Sequence, residues 1–113
     1  VAIECRINAE DPSNDFSPSP GTITRYIPPG GPGVRVDTYV CQGWTVSASY
    51  DSMIAKLIVH QRTRAEAIAT MKRALREFVI EPIKTTIPVC LEILSHSLYV
   101  KNKIDTGFVE RNF

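Results

Sequence analysis

The chain has 113 residues, 43% of them hydrophobic, and thirteen basic against twelve acidic side chains leave a net charge of +1. That is one domain with a core of its own, and its near-neutral balance excludes nucleic acid or an anionic membrane as a partner that charge alone would select. No apolar run approaches the roughly 18 residues of a spanning helix, and the three cysteines, Cys5, Cys41 and Cys90, are odd in number and far apart, as for reduced thiols in a cytosol-like compartment.

The opening "VAIECRINAEDP" alternates, with Ile3, Cys5 and Ile7 on one side and Glu4, Arg6 and Asn8 on the other. Period two predicts a half-buried strand with a polar row on its open face. Val1 already stands in that pattern, so the chain is expected to be a piece of a longer protein. In "EDPSNDFSPSPG", Pro12, Pro18 and Pro20 bar a helix or central strand and predict an ordered surface loop. Alternation resumes from Gly21 to Ile27, "PPGGPG" turns the chain, and a third strand is predicted from Val34 to Val40 with Val34, Val36, Thr38 and Val40 inward and Arg35, Asp37 and Tyr39 outward. "CQGWTV" reads as a turn at Gly43 and a short strand. The nearly unbroken apolar run from Met53 to His60 predicts a central strand covered on both faces.

The pattern then becomes helical. Ile68, Met71, Leu75 and Phe78 recur at helix spacing, and Thr63 with Glu66 three residues on is a capping box. Pro82 closes this region. A second helix is predicted to begin at "TTIPV", with Thr86 as cap and Pro88 in the first turn, burying Val89, Cys90, Ile93, Leu94 and Ser97. "DTGFVERNF" reads as a last capped turn. Strands first and helices later give an α+β class: an antiparallel sheet from the N-terminal half, barrel-sandwich-hybrid-like, with two main helices from the C-terminal half packed on it.

Several motifs resolve to ordinary structure. Gly30-Gly31-Pro32-Gly33 lacks the free N–H groups and the following helix that a phosphate loop needs, because prolines 28, 29 and 32 remove donors; it is a turn between strands. Met71-Lys72 resembles the attachment site of a biotinyl or lipoyl carrier, but those lysines sit at a hairpin tip and Lys72 is mid-helix. His60 and His96 have no partner at metal spacing, and Cys90 and His96, six apart, do not share a helix face. No metal site is expected. The row Glu4, Arg6, Asn8 stays open between two readings: cross-strand ion pairing, or a guanidinium fixed on a strand to recognise an oxyanion.

"ECRINAEDP", "SPSPGTI", "PPGGPGVRVD", "YDSMIAKLIV" and "IKTTIP" occur in the order in which the C-terminal domain of biotin carboxylase carries them, and the chain resembles that family from Val1 to Phe113. The resemblance implies a fragment of an ATP-grasp ligase. That enzyme makes carboxyphosphate from bicarbonate and MgATP and carboxylates N1 of biotin on a carrier protein, the first half-reaction of acetyl-CoA carboxylase in fatty acid synthesis. Relatives act on pyruvate, propionyl-CoA or methylcrotonoyl-CoA. The ATP-grasp core lies upstream in the family, so this chain is expected to bind no ATP, magnesium or biotin alone and not to turn over alone.

Arg6 matches the family arginine that reaches the cleft beside biotin, where it would stabilise negative charge on the ureido oxygen as the N1 proton leaves; Glu4 and Asn8 on its face are expected to orient it. The resemblance places Arg35 and Asp51 at a two-fold dimer interface and Thr106, in "DTGF", on the adenine side of the cleft. Ser47-Ala48-Ser49, "CQGW" and Glu81-Pro82 depart from the usual family pattern. Expected partners are the upstream ATP-grasp domains, a biotin carboxyl carrier protein, a carboxyltransferase and a second copy of the parent chain, with neither nucleic acid nor membrane. A bacterial cytoplasm is the expected location, ahead of the mitochondrial matrix. The competing expectation is a non-catalytic interaction module of the same fold.

Overall fold

The computed structural model describes residues 1–48, 52–102 and 107. Their elements run β1 (Ala2–Asn8), β2 (Glu10–Asp11), β3 (Ser17–Pro18), β4 (Gly21–Thr22), β5 (Arg25–Ile27), β6 (Val34–Thr38), β7 (Thr45–Val46), β8 (Met53–His60), α1 (Arg64–Glu77), β9 (Val79–Glu81), α2 (Ile87–Ser95) and the single turn α3 (Ser97–Val100). The class is α+β. The main sheet is antiparallel in the order β1-β8-β6, and three further two-stranded pairs are β2-β3, β4-β7 and β5-β9.

The apolar run 53–60 takes the central position because it is flanked by a strand on each side. Ile54, Ala55, Leu57 and Val59 are buried, while Lys56 and Ile58 between them are half-exposed. Directly opposed residues of an antiparallel pair share a face, so register fixes two surfaces. Ile3, Val59 and Val34 form one inner row, and Cys5, Leu57 and Val36 the next. Against them packs α1, whose buried stripe of Ala67, Ile68, Met71, Ala74 and Leu75 recurs every three or four residues; α2 lies on α1. On the open face, Glu4, Ile58 and Arg35 form one row and Arg6, Lys56 and Asp37 the next.

Local chemistry sets the ends. Thr63 Oγ1 accepts from Glu66 N at 3.2 Å, the predicted cap, but the Glu66 carboxylate returns to the Thr63 hydroxyl and not to an amide. Gly33 closes the turn between β5 and β6 at φ +75°, and a Cβ there would stand 2.6 Å from the His60 carbonyl oxygen. The Gly33 carbonyl accepts from His60 N at 2.9 Å, locking the start of β6 onto the end of β8.

Three expectations need correction, and one strand was missed. The proline-rich segment is not only loop: Asp11 caps a 3-10 turn over Pro12–Asn14, and β2 pairs with β3. The strand expected over 21–27 is two pieces. Ile23, fully buried, exchanges bonds with Trp44 and Gly43, whereas Thr24 N turns to Glu81 O, so the chain changes partner midway. That partner, β9, was invisible as a three-residue "VIE" between a helix and a proline. Tyr26 on β5 meets Phe78 edge-on at 5.7 Å between ring centres. In α2 only Leu94 of the expected stripe is buried; Cys90 and Ile93 are half-buried, and Ser97 is exposed and opens α3.

Candidate functional site

β1 is an edge strand, and its polar row looks away from the core because Ile3 and Ile7 must be buried. The Arg6 side chain keeps 65% of its accessible surface. Its Nε lies 3.7 Å from Glu4 Oε2, with the Glu4 side chain 42% exposed. An ion pair so long and so wet contributes about 0–1 kcal/mol, so Glu4 holds the guanidinium loosely and a ligand anion can take it at little cost. Lys56 stands directly across from Arg6 on β8. The only carboxylate in that row, Asp37, has both oxygens engaged by Arg35, from Nε at 2.9 Å and from the terminal nitrogen at 3.1 Å. The Arg6–Lys56 end of the face is therefore cationic.

Asn8 does not join Arg6. Its Nδ2 donates to Glu10 Oε1 at 3.3 Å, and the other Glu10 oxygen accepts from Ser52 Oγ at 3.2 Å. A register shift between Ile7 and Asn8 turns the side chain aside just where β1 ends. Of the two residues expected to orient Arg6, Glu4 touches it and Asn8 does not.

What fixes the strand is Thr86, read from sequence as a helix cap. It makes no side-chain cap bond. Its Oγ1 accepts from Asn8 N at 3.0 Å and donates to Arg6 O at 3.3 Å, while its own N donates to Asn8 O at 3.1 Å. The start of α2 is thus stitched to the outer edge of β1 on both sides of Ile7, and the Arg6 backbone is anchored while its side chain stays free. The sequence signal was the second threonine of "TTIP", which local rules assign to the helix beginning there.

Arg35 is 72% exposed and its partner within the chain is Asp37. Asp51 and Thr106 lie outside the described residues, as does most of "DTGFVERNF". Among the described residues no group of three or more His, Cys, Asp or Glu side chains could hold a metal ion, and no helix is long and apolar enough to cross a membrane. Lys72 sits inside α1.

An edge arginine with its side chain free and its backbone clamped is an arrangement for meeting a small anion. Residues 4–111 match the family described as the biotin carboxylase C-terminal domain. The chain is 59% identical over 109 residues to biotin carboxylase 1 of Bacillus subtilis, an alignment covering 96% of this chain and 24% of that protein. It is 51% identical over 109 residues to a pyruvate carboxylase subunit of Methanothermobacter thermautotrophicus, covering 96% of this chain and 22% of the other. In structure it superimposes, with a TM-score of 0.93 and 44% identity, on the biotin carboxylase domain of the Hydrogenobacter thermophilus 2-oxoglutarate carboxylase, a dimer in complex with MgADP, ADP and bicarbonate, covering 97% of this chain and 24% of that one. The chain spans less than a quarter of the length of the curated relatives just named. This chain belongs to the biotin carboxylase C-terminal domain family.

Proposed function

We propose that the chain completes the active site of a biotin carboxylase, an ATP-dependent ligase that carboxylates biotin on a carrier protein, with Arg6 as the residue this domain supplies. The exposed, loosely paired guanidinium on a clamped strand carries the reading. When the N1 proton of biotin leaves, negative charge develops on the ureido oxygen. A guanidinium presents a planar fork of N–H donors to that oxygen and stays protonated throughout. Lys56, in the same row, adds positive potential without competing for the contact. Preorganised donors of this kind contribute on the order of 3–4 kcal/mol, or about 10²–10³ in rate. The donor set fits the biotin ureido group; the binding of MgATP and bicarbonate falls to segments outside this chain.

In this reading the parent works in the first half-reaction of acetyl-CoA carboxylase, in fatty acid synthesis. It acts with a biotin carboxyl carrier protein and a carboxyltransferase, as a homodimer with Arg35 and Asp51 at the two-fold interface, in a bacterial cytoplasm. The equivalent domain of a pyruvate carboxylase is the second reading, favoured by the 51% identity to the pyruvate carboxylase relative. The domain itself does not discriminate them, since both carboxylate biotin and differ in the acceptor.

In the full-length enzyme, Arg6→Ala is expected to lower biotin carboxylation by about 10²–10³, with Arg6→Lys intermediate and bicarbonate-dependent ATP hydrolysis less affected. Carboxylation unchanged in Arg6→Ala would overturn the reading and favour a non-catalytic module.

A further inference from the structure

The inner side of β1 carries chemistry that the polar row does not use. Cys5 and Cys90 are far apart in sequence, yet they line one cavity and each is the strongest influence on the other's thiol. The geometry follows from the Thr86 clamp. Thr86 is tied to Arg6 and Asn8, and Cys90 lies four residues along α2 with its N donating to Thr86 O at 3.1 Å, so the two side chains share a helix face one turn, about 5.4 Å, apart. Moving back along β1 from Ile7 to Cys5 covers about 6.6 Å. The two rises nearly match, which sets Cys90 alongside Cys5 on the wall of a shared cavity. Both cysteines are half-buried, and a cavity of about 200 Å³ is lined by Cys5, Cys90, Glu4, Arg6, Ile93 and Tyr99 among others. A small oxidant thus has a space beside both cysteines, bordered by Glu4 and Arg6.

We propose that Cys5 and Cys90 are a reversible oxidation site, converted by a hydroperoxide to a disulfide that ties β1 to α2 beside Arg6. Cys90 is the attacking sulfur. The neighbouring Cys5 thiol and the backbone around Cys90 hold its thiol below the ordinary range, against the opposing effect of burial. Cys5 is pushed up by the neighbouring Cys90, by burial and by the Glu4 carboxylate. The Cys90 thiolate attacks the terminal peroxide oxygen, the O–O bond breaks and the alcohol leaves with a proton, giving a sulfenic acid. Cys5 sulfur then attacks Cys90 sulfur, the S–O bond breaks, and the hydroxyl leaves as water with the Cys5 proton. Two thiols and one hydroperoxide give one disulfide, one alcohol (water, for hydrogen peroxide) and one water, a two-electron oxidation that a dithiol reverses.

Trypsin separates the cysteines: Cys5 falls in a peptide ending at Arg6, Cys41 in Val36–Lys56 and Cys90 in Thr85–Lys101. The full-length protein, treated with stoichiometric hydrogen peroxide, alkylated and digested without reductant, is expected to yield a peptide joining the Cys5 and Cys90 fragments, lighter by two hydrogens than their sum and lost on adding dithiothreitol. In Cys5→Ala the oxidation should stop at a Cys90 sulfenic acid trapped by dimedone. Recovery of Cys5 and Cys90 both alkylated, or of Cys90 as sulfinic acid with no linked peptide, would overturn the proposal. These readouts do not depend on carboxylation, so they stand or fall apart from the role of Arg6.

Discussion

Thr86 and Asn8 bond to each other twice, through Thr86 N to Asn8 O at 3.1 Å and Asn8 N to Thr86 Oγ1 at 3.0 Å. The hydroxyl is nearly buried, at 9% exposure for the residue. Thr86→Val keeps the shape but leaves the Asn8 amide and the Arg6 carbonyl without this partner. Loss of about 1–3 kcal/mol is expected in urea unfolding of the full-length protein, with Thr86→Ser close to wild type. A valine variant as stable as the parent would show that the clamp contributes nothing.

Gly33→Ala tests the turn that docks β6 on β8. The backbone there is left-handed, at φ +75°, and the added methyl would meet the His60 carbonyl at 2.6 Å. Destabilisation of about 1–3 kcal/mol is expected, read as a lower melting temperature. Gly30→Ala, which meets nothing within 4 Å, serves as the control and should cost little.

Arg35→Glu exchanges the sign of an exposed strand residue and sets it against Asp37, its bidentate partner. In the parent enzyme the substitution is expected to weaken dimerisation, and Asp51→Arg in the same chain to restore part of it. In the proposed dimer a two-fold axis would repeat each contact, so the effect would count twice. Sedimentation velocity showing the single and double variants to be dimers like the parent would remove Arg35 from the interface.

Asp11 predicts a pH dependence. Its carboxylate accepts from the Ser13 hydroxyl at 2.6 Å and from Ser13 N at 3.0 Å, which holds its pKa below the ordinary carboxylate value. A group depressed in the folded state stabilises it fully above the unfolded pKa, and that stabilisation disappears as pH falls through the lower folded value. Carboxyl carbon shifts followed by NMR should give a midpoint below the usual range, and Ser13→Ala should move it up. An unchanged midpoint in that variant would show that the serine is not the cause.

Elements with long, clean periodicity were legible in the sequence. β1 and α1 each carry a pattern that only one packing satisfies, and Thr63 marks the start of α1 by local chemistry; β8 was legible as the central strand, but its Lys56 and Ile58 lie half-exposed on an open face where cover on both faces was expected. What escaped was set by partners distant in the chain. β9 exists because Arg25–Ile27 needs strand mates, the break after Thr22 follows from a change of mate, and Thr86 serves β1 instead of its own helix. The cationic end of the open face was half visible. Arg6 stood out in its row, but Lys56 became its neighbour only through the β1–β8 register, and Asp37 was removed from the balance by Arg35, two residues away on the same strand.

Because β1 alternates so strictly, the aim of its arginine is a matter of parity. Deleting Ile3 while the chain start keeps its register would send Cys5 and Ile7 to the wet side and turn the Arg6 guanidinium towards Leu57 and α1. Such a chain would lose its core and its anion contact in the same event, so frame-preserving indels in this short stretch should be tolerated far less than any single substitution within it.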